Sequence, residues 1–556
     1  MALPVTPLPS APRKATDSVP SPSPSRSGKR RPEAKLAALV DPALPVADWA
    51  SFFGDLTRRP EGEPVEWRVH DRTHIEFAID YPVAEAPRAY TWEAYFFVPE
   101  SFRMHEGSYD KKAIYDDLWS YVRYAVPDVP FFQLARVSDG TPLQRVEDAL
   151  KAAAGTKEGS AEELFAMRML RLFACQVRAS GLAAMREIEL SLGEPRADAE
   201  RLGQRAVAFV ATCNAVATAL RDLLKRAEAL PLPGSATVAA LWVDEDVSMV
   251  LETLTASLAL ALERRSNGSP QIRATAERVA ACAVKEARHR RDAGYDSVGS
   301  ADAGERAVEH IEFRRHVLKR FTSSVLWLSL GVHRASAWVV HTLYAVAAAV
   351  AMAVALIAGL KTPTTNLLWY AILVVAAYAL KDRVKAFLQN LFAGWIEKRF
   401  PDRKWTIQDR ERGRAVGEVH ERAAFLPFGS LPKEVLAARR MTREHPLEEQ
   451  ARPEQVLWHQ KTLVAFGAGD KERANFPMLT EIFRLNLREW LSHADDPNRK
   501  MVFADPDDAR IYSATARRVY NINVIYRLRT PGDEAPWQRL RVVVSRKGIE
   551  RIEPIC

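Results

Sequence analysis

Residues 335–360, ASAWVVHTLYAVAAAVAMAVALIAGL, contain no Asp, Glu, Lys or Arg. A second uncharged run, LLWYAILVVAAYAL at residues 367–380, follows after a short link. An α-helix needs about 20 apolar residues to cross the hydrocarbon core of a bilayer. We therefore expect a transmembrane hairpin at 335–381, with spans at 335–360 and 364–381. The alternative is a pair of buried helices in the core of a soluble domain.

Basic residues beside the two spans predict their orientation. The link between the spans offers only Lys361, whereas the flanks before the first span and after the second are rich in Lys and Arg. Because basic residues collect on the cytoplasmic side, we expect both termini in the cytoplasm and a very short loop outside. The predicted location is the inner (plasma) membrane of a bacterial-type cell. The residues expected to contact anionic headgroups or an acidic partner are Arg314, Arg315, Lys319, Arg320, Lys381, Arg383, Lys385, Arg527, Arg529, Arg539 and Arg541.

The composition limits the classes of partner. The 556 residues include 78 Lys and Arg against 70 Asp and Glu, a net charge of +8. This modest excess, gathered beside the spans and near the C-terminus, favours contact with anionic lipid over a nucleic-acid partner. The spacing of the four cysteines predicts neither a metal pair nor a redox dithiol, and Cys175, Cys213 and Cys282 are expected to be small buried hydrophobes.

Changes in composition along the chain predict its domain organisation. The expected fold class is an α-helical membrane hairpin of two spans flanked by cytoplasmic domains. The predicted parts are a disordered Pro/Ser-rich basic tail (1–45), a small α/β unit (46–140), a helical bundle (141–305), a juxtamembrane amphipathic helix (306–334), the hairpin (335–381), a second amphipathic helix (382–400) and a cytoplasmic α+β domain (401–556).

Local patterns predict individual elements. Period-2 alternation predicts strands at 75–81 and 90–98, a further strand is expected at 65–69, and a helix is expected at 110–124. In the bundle, Ser160 and Glu163 form a capping box. Apolar periodicity predicts bundle helices at 161–192, 196–229, 237–265 and 270–292, C-terminal helices at 433–440 and 479–492, and C-terminal strands at 404–408, 416–428, 519–528 and from 540 onwards.

Motifs of enzymes and cofactor sites are missing from the sequence. There is no GxxxxGK[ST] phosphate loop, no GxGxxG after a strand, no HExxH and no GxSxG. We therefore expect no cofactor, and the sequence leans against an enzyme. An acidic segment around Asp495–Asp508 leaves divalent metal binding open, with a solvated loop as the alternative.

Small residues recur every four positions along the first span, at Ala347, Ala351, Ala355 and Gly359. This spacing lets helix backbones approach closely in lipid. The partner helix is either the second span or the first span of another copy, so homo-oligomerisation stays open.

The segment Gln389–Trp395 (QNLFAGW), followed by Arg399-Phe400-Pro401, resembles the end of the pore helix in small-conductance mechanosensitive channels. The resemblance implies an oligomeric channel in which an Ala/Gly-rich span passes into an amphipathic helix and then a β-rich cytoplasmic domain. Our main interpretation is a two-span inner-membrane protein that presents large cytoplasmic domains to an unidentified partner for scaffolding or sensing. The channel is the alternative, and a membrane-anchored enzyme without a standard motif is the third.

Overall fold

The computed structural model describes residues 65–193, 199–265, 269–296, 304–333, 400–440, 454–469, 475–507 and 510–555, together with scattered residues between 342 and 387 and residue 473. Its mixture of long helices and large sheets agrees with the expected α+β content. The predicted tail 1–45, most of the predicted hairpin and most of the amphipathic helix 382–400 lie outside the described residues.

Two large antiparallel sheets form the β core of the described residues. The smaller has the order β1-β2-β9-β4, from β1 (Val65–Val69), β2 (His74–Pro82), β4 (Leu118–Tyr124) and β9 (Met478–Asn486). The larger has the order β15-β14-β12-β3-β8-β7-β6-β5, and β13 pairs with β12. Its strands are β3 (Arg88–Pro99), β5 (Ser329–His333), β6 (Arg403–Asp409), β7 (Arg414–Leu426), β8 (Glu454–Ala465), β12 (Tyr520–Thr530), β13 (Asp533–Glu534), β14 (Gln538–Ser545) and β15 (Gly548–Ile555).

The two sheets pack face to face through aromatic side chains. Phe77 of β2 and Phe483 of β9 each lie with ring centroids 5.5 Å from Trp92 of β3, and Trp92 is completely buried. Such contacts are typical of aromatic pairs in cores. The N-terminal and C-terminal strands therefore share one core, and the predicted separation of 46–140 from 401–556 is wrong. The reason is that β3 pairs with both β8 and β12, and β9 lies between β2 and β4.

A helical unit is inserted between β4 and β5. It comprises α2 (Pro142–Ala153), α3 (Ala161–Gly193), α4 (Ala199–Ala227), α5 (Gly234–Arg265), α6 (Pro270–Asp292) and α7 (Glu305–Ser323). Half of the predicted capping box is present, because the backbone N–H of Glu163 donates to Ser160 Oγ. The Glu163 carboxylate accepts from the backbone N–H of Gly159, one residue before Ser160. Helix α5 is central and packs against α3, α4, α6 and α7.

Three segments that were predicted as single helices each contain a shorter helix and a β-strand. Residues 110–124 divide into α1 (Lys111–Asp117) and β4, and residues 479–492 divide into β9 and α9 (Arg488–Ser492). The predicted helix 306–334 is α7 followed by a 3₁₀ turn and β5, and α7 packs on α3 and α5. The remaining described elements are α8 (Lys433–Arg439) and the strands β10 (Asn498–Asp505) and β11 (Arg510–Arg517), which form a separate two-stranded sheet.

Within the described residues, one helix is long and apolar enough to cross a membrane by length and composition, Glu200–Ala227 of α4, with a mean hydropathy of 1.4. This helix places Phe209, Cys213, Val216 and Leu220 in the core shared with its neighbours. Core helices of soluble proteins pass the same test.

Candidate functional site

The inserted segment 334–402 leaves and re-enters the large sheet at neighbouring strands. β5 ends at His333 and β6 begins at Arg403, and the two strands are antiparallel with His333 opposite Lys404 and Val332 opposite Trp405. Paired strands lie about 4.8 Å apart. Both ends of the segment therefore meet at one place, which we call the exit edge.

Asp402 fixes the chain where it returns to the sheet. Its carboxylate accepts from Lys111 Nζ at 2.9 Å, from Tyr115 OH at 2.8 Å and from the backbone N–H of Ala423 at 3.0 Å. Burial, together with the negative charge of Asp402, raises the pKa of Tyr115, so this hydroxyl keeps its proton and remains a donor. The guanidinium of Arg403 lies 4.3 Å from the centre of the Tyr115 ring. Charge-assisted bonds of this kind hold the return point in one position.

An exposed aromatic side chain lies on the same side as the exit edge. Arg123 of β4 and Trp327, which precedes β5, form an antiparallel β-bridge. Because the two segments run in opposite directions, the first residues of β4 lie toward the end of β5, which is the exit edge. Trp119, one of these residues, is 55% exposed, and the Arg484 guanidinium lies 5.2 Å from its ring. Tryptophan and basic side chains are enriched where proteins meet the membrane interface.

Helical residues within the inserted segment expose large apolar side chains. Leu356 is 63% exposed and Val375 is 69% exposed, and Ile357, Ile372 and Phe387 are also exposed. Exposed apolar surface of this kind marks contact with lipid or with another protein.

The predicted basic contact residues are not brought together. Arg314 donates to both carboxylate oxygens of the buried Glu245, at 2.9 and 2.6 Å, and Arg315 and Lys319 are half-buried on α7. Arg320 and Arg383 are exposed, and the Arg320 guanidinium lies 6.0 Å from the Trp327 ring. The predicted Lys381 and Lys385, like the small residues Ala347, Ala351, Ala355 and Gly359, lie outside the described residues.

The four C-terminal arginines belong to the far half of the sheet. Arg527 and Arg529 approach Glu93 Oε2 at 3.0 and 3.6 Å on β12, which β3, β8 and β7 separate from β6. Arg539 is buried and donates to Asn523 Oδ1, and the buried Arg541 lies 3.7 Å from Glu553. Their position follows from the antiparallel order of the strands, which the sequence pattern did not include.

Sequence reasoning missed a buried charge network between the sheets. Lys461 Nζ donates to Glu481 Oε1 at 2.8 Å and to Ser120 Oγ at 2.7 Å, and it lies 3.4 Å from Glu421 Oε1. His459 Nε2 lies 2.9 Å from the same Glu421 oxygen. We call Glu421, His459, Lys461 and Glu481 the sandwich network. The sequence did contain a signal for this network. Every second residue of β8 is buried, and these inward positions are Leu457, His459, Lys461 and Leu463, so two ionisable residues stand at core positions.

Glu421 and Lys461 of the sandwich network are held in their charged forms. Burial alone would raise the pKa of Glu421, but the Lys461 ammonium and the His459 hydrogen bond lower it to about 2. Burial alone would lower the pKa of Lys461, but Glu421 and Glu481 raise it. All four side chains are buried. The arrangement joins the sheets, and the buried ions are closed off from a substrate.

The described residues contain no group of three or more His, Cys, Asp or Glu side chains that could hold a metal ion. In the acidic segment, Asp495 pairs with Arg518 at 2.7 Å and accepts from Tyr520 OH, and residues 498–505 form β10. Asp495 therefore precedes β10, and Asp505 is the last residue of that strand.

No protein-family model, no curated protein and no solved structure matches this chain. The resemblance to mechanosensitive channels therefore rests on the segment Gln389–Trp395 with Arg399–Pro401, and only Phe400 and Pro401 of these residues lie in the described part of the chain.

Proposed function

We propose that the chain is a membrane-anchored scaffold, in which a two-span hairpin inserted at the exit edge holds the α+β body against one membrane face. The observation that carries the proposal is the pairing of β5 with β6. Because His333 and Lys404 face each other across two strands, the segment between them can cross a bilayer only an even number of times. This matches the two uncharged runs of the sequence.

Two further observations support the anchor. Exposed apolar side chains at helical positions, such as Leu356 and Val375, would lose contact with water in lipid. The Trp119 and Arg484 pair near the exit edge suits the headgroup region. Headgroup contact is then assigned to the basic residues that flank the two predicted spans, Arg320, Lys381, Arg383 and Lys385, and not to Arg539 and Arg541.

Thiol labelling of the full chain in spheroplasts tests the topology. Cys175, Cys213 and Cys282 are buried, and burial raises the pKa of Cys282 to about 11, so the native thiols react slowly. In a Cys556→Ser background, Thr364→Cys places a thiol in the predicted outer loop, and Ser430→Cys places one on the exposed surface of the body.

We expect a membrane-impermeant maleimide to label Thr364→Cys in intact spheroplasts and to label Ser430→Cys only after lysis. Equal labelling of both thiols before lysis, or release of the chain from membranes by alkaline carbonate, would contradict the anchor. The mass of the detergent-solubilised particle separates the scaffold from the channel. A two-span hairpin encloses a pore only by repetition, so a closed ring of many copies would replace the scaffold by the channel.

A further inference from the structure

The two-stranded sheet of β10 and β11 leaves the body as a ribbon. Asn498 faces Arg517 at its base, and Asp505 faces Arg510 next to the turn. In the part of the chain that the structure describes, these two strands pair only with each other. Arg517 bonds to Glu550 and Arg518 bonds to Asp495, so the base of the ribbon is tied to the body.

Both faces of the ribbon expose apolar side chains. Successive residues of a strand point to opposite faces. Met501 and Phe503 therefore share one face with Tyr512, whose ring stacks on that of Phe503, and Val502 shares the other with Ile511. Val502 is 70% exposed and Ile511 is 79% exposed. A two-stranded ribbon is marginally stable in water by itself, and an open strand edge is a template for a further strand.

The sequence of β10 is complementary to itself when two copies run antiparallel. With Val502 opposite Val502 of the second copy, Met501 faces Phe503 of the other chain, and Arg499 faces Asp505. The twofold axis repeats each pair, which gives two opposite-charge pairs and two apolar pairs around a central Val–Val pair. Opposite charges and apolar partners stabilise directly facing positions, and like charges destabilise them.

We propose that β10 is a self-association edge, through which two copies of this chain form a four-stranded sheet centred on Val502. The proposal is independent of the membrane anchor, because it rests on the ribbon alone. A twofold contact of this kind is isologous: each strand gives and receives the same interactions.

The other edge and a lipid surface fit less well. A twofold axis through the middle of β11 places Arg510 opposite Arg517 of the second copy, and the strand offers no acidic residue to face them. Its turn has the sequence Asp505-Pro506-Asp507-Asp508. An acidic tip is repelled by anionic headgroups, so a bilayer is not the occupant that the charges favour.

Disulfide crosslinking of the full chain in detergent tests the register. In the Cys556→Ser background, Val502→Cys places two thiols on the twofold axis, within the reach of a disulfide. Ile511→Cys is the matched control, since it is at least as exposed on the same face but lies on β11. We expect mild oxidation to convert Val502→Cys to a covalent dimer and to leave Ile511→Cys monomeric on a denaturing gel.

Charge reversal tests the ion pairs without a new thiol. Arg499→Asp places an aspartate at position 499 of each copy opposite Asp505 of the other, so both ion pairs become pairs of like charges. We expect the dimer dissociation constant, measured by native mass spectrometry or light scattering, to rise by about tenfold. The double variant Arg499→Asp with Asp505→Arg restores opposite charges and is expected to regain the dimer.

Three outcomes would overturn the proposal. They are a monomeric particle, equal crosslinking of both cysteine variants, and a double swap that stays as weak as Arg499→Asp. A separate sample of Val502→Cys carries a fluorescent probe on the thiol. If its emission shifts on anionic vesicles and the unlabelled variant forms no crosslink, the ribbon contacts lipid instead.

Discussion

The β body and the helical unit both bury acidic side chains, but they hold them in different ways. In the sandwich network one Lys461 serves two glutamates, with His459 as a further partner. In the helical unit the acidic run Asp244–Asp246 at successive positions of α5 is divided among arginines from three helices, Arg221 of α4, Arg314 of α7 and Arg178 of α3.

The pKa values of two buried carboxylates, Glu421 and Asp246, shift in opposite directions. At Glu421 the Lys461 charge and the His459 hydrogen bond outweigh burial, and the pKa falls to about 2. At Asp246 burial outweighs Arg178 and Thr322, and the pKa rises above its usual value. Two equally buried carboxylates therefore differ in how well the fold stabilises their charged forms. The folded state favours the charged form of Glu421 and disfavours that of Asp246.

The largest effect is expected from Glu421→Gln. The substitution keeps the shape of the side chain but leaves the buried Lys461 with one acidic partner, Glu481. Removing one partner of a buried ion pair costs about 3–5 kcal/mol of unfolding free energy. Urea unfolding of the detergent-solubilised full chain, followed by tryptophan fluorescence, measures it, because Trp92 and Trp490 are buried in the β body. A loss no larger than that of an exposed control would contradict the network.

The same carboxylate predicts a pH dependence. The pKa of Glu421 is about 2 in the folded chain and 4.5 in its ordinary state. Its contribution to stability is therefore fully present above about pH 4.5 and is lost as the pH falls toward 2. The difference in unfolding free energy between the native chain and Glu421→Gln should shrink over this window and stay constant from pH 5 to 7.

A smaller effect is expected from Asp246→Asn. The substitution leaves the buried Arg178 guanidinium without its carboxylate partner, but the amide keeps a hydrogen-bond acceptor for Arg178 and Thr322. It also removes a charge that burial disfavours, which offsets part of the loss. We expect a loss of about 1–2 kcal/mol, measured by the same unfolding experiment. A cost equal to that of Glu421→Gln would show that the two carboxylates are held alike, and the comparison between the regions would fail.

The smallest effect in the series is expected from Arg314→Gln. Glu245 is buried, but Arg314 is one-third exposed at its side chain, so water can reach the vacated site. We expect a loss of about 1 kcal/mol of unfolding free energy, at the upper end of the range for exposed pairs. Lys112→Ala is the control, since its pair with Asp116 is exposed and its removal should leave the unfolding curve unchanged.

The sequence predicted the long helices and most strands well. Helices predicted at 161–192 and 270–292 are α3 and α6, and the alternation at 75–81 and 90–98 is confirmed in β2 and β3. Helices α3 and α6 and strand β2 have one mainly buried face, which produces a clear period, whereas β3 buries both faces and keeps the alternation through Thr91 and Glu93. The segment 479–492 failed because β9 is a central strand with both faces covered, so Leu479, Ile482, Phe483 and Leu485 are all buried and the alternation is lost.

The candidate sites were predicted only in part. The length and apolar composition of the uncharged runs predict that the inserted segment spans a membrane, and this stays a prediction. The exit edge, the sandwich network and the positions of Arg527–Arg541 depend on which strands are neighbours. Pairs such as Tyr81 and Glu481 are 400 residues apart, and no local pattern carries that information.

The interleaved strand order also constrains the sequence of events during synthesis. β3 is synthesised early, but its neighbours β8 and β12 are synthesised after the inserted segment. β2 likewise cannot pair with β9 until that strand has been synthesised. Domains generally fold as units, N-terminal first, as the chain leaves the ribosome. This β body cannot close in that way, because its core is completed by the last strands. Residues 334–402 therefore leave the ribosome while the β body is still open. Whether they enter a membrane is determined before the sheet on either side of them has formed.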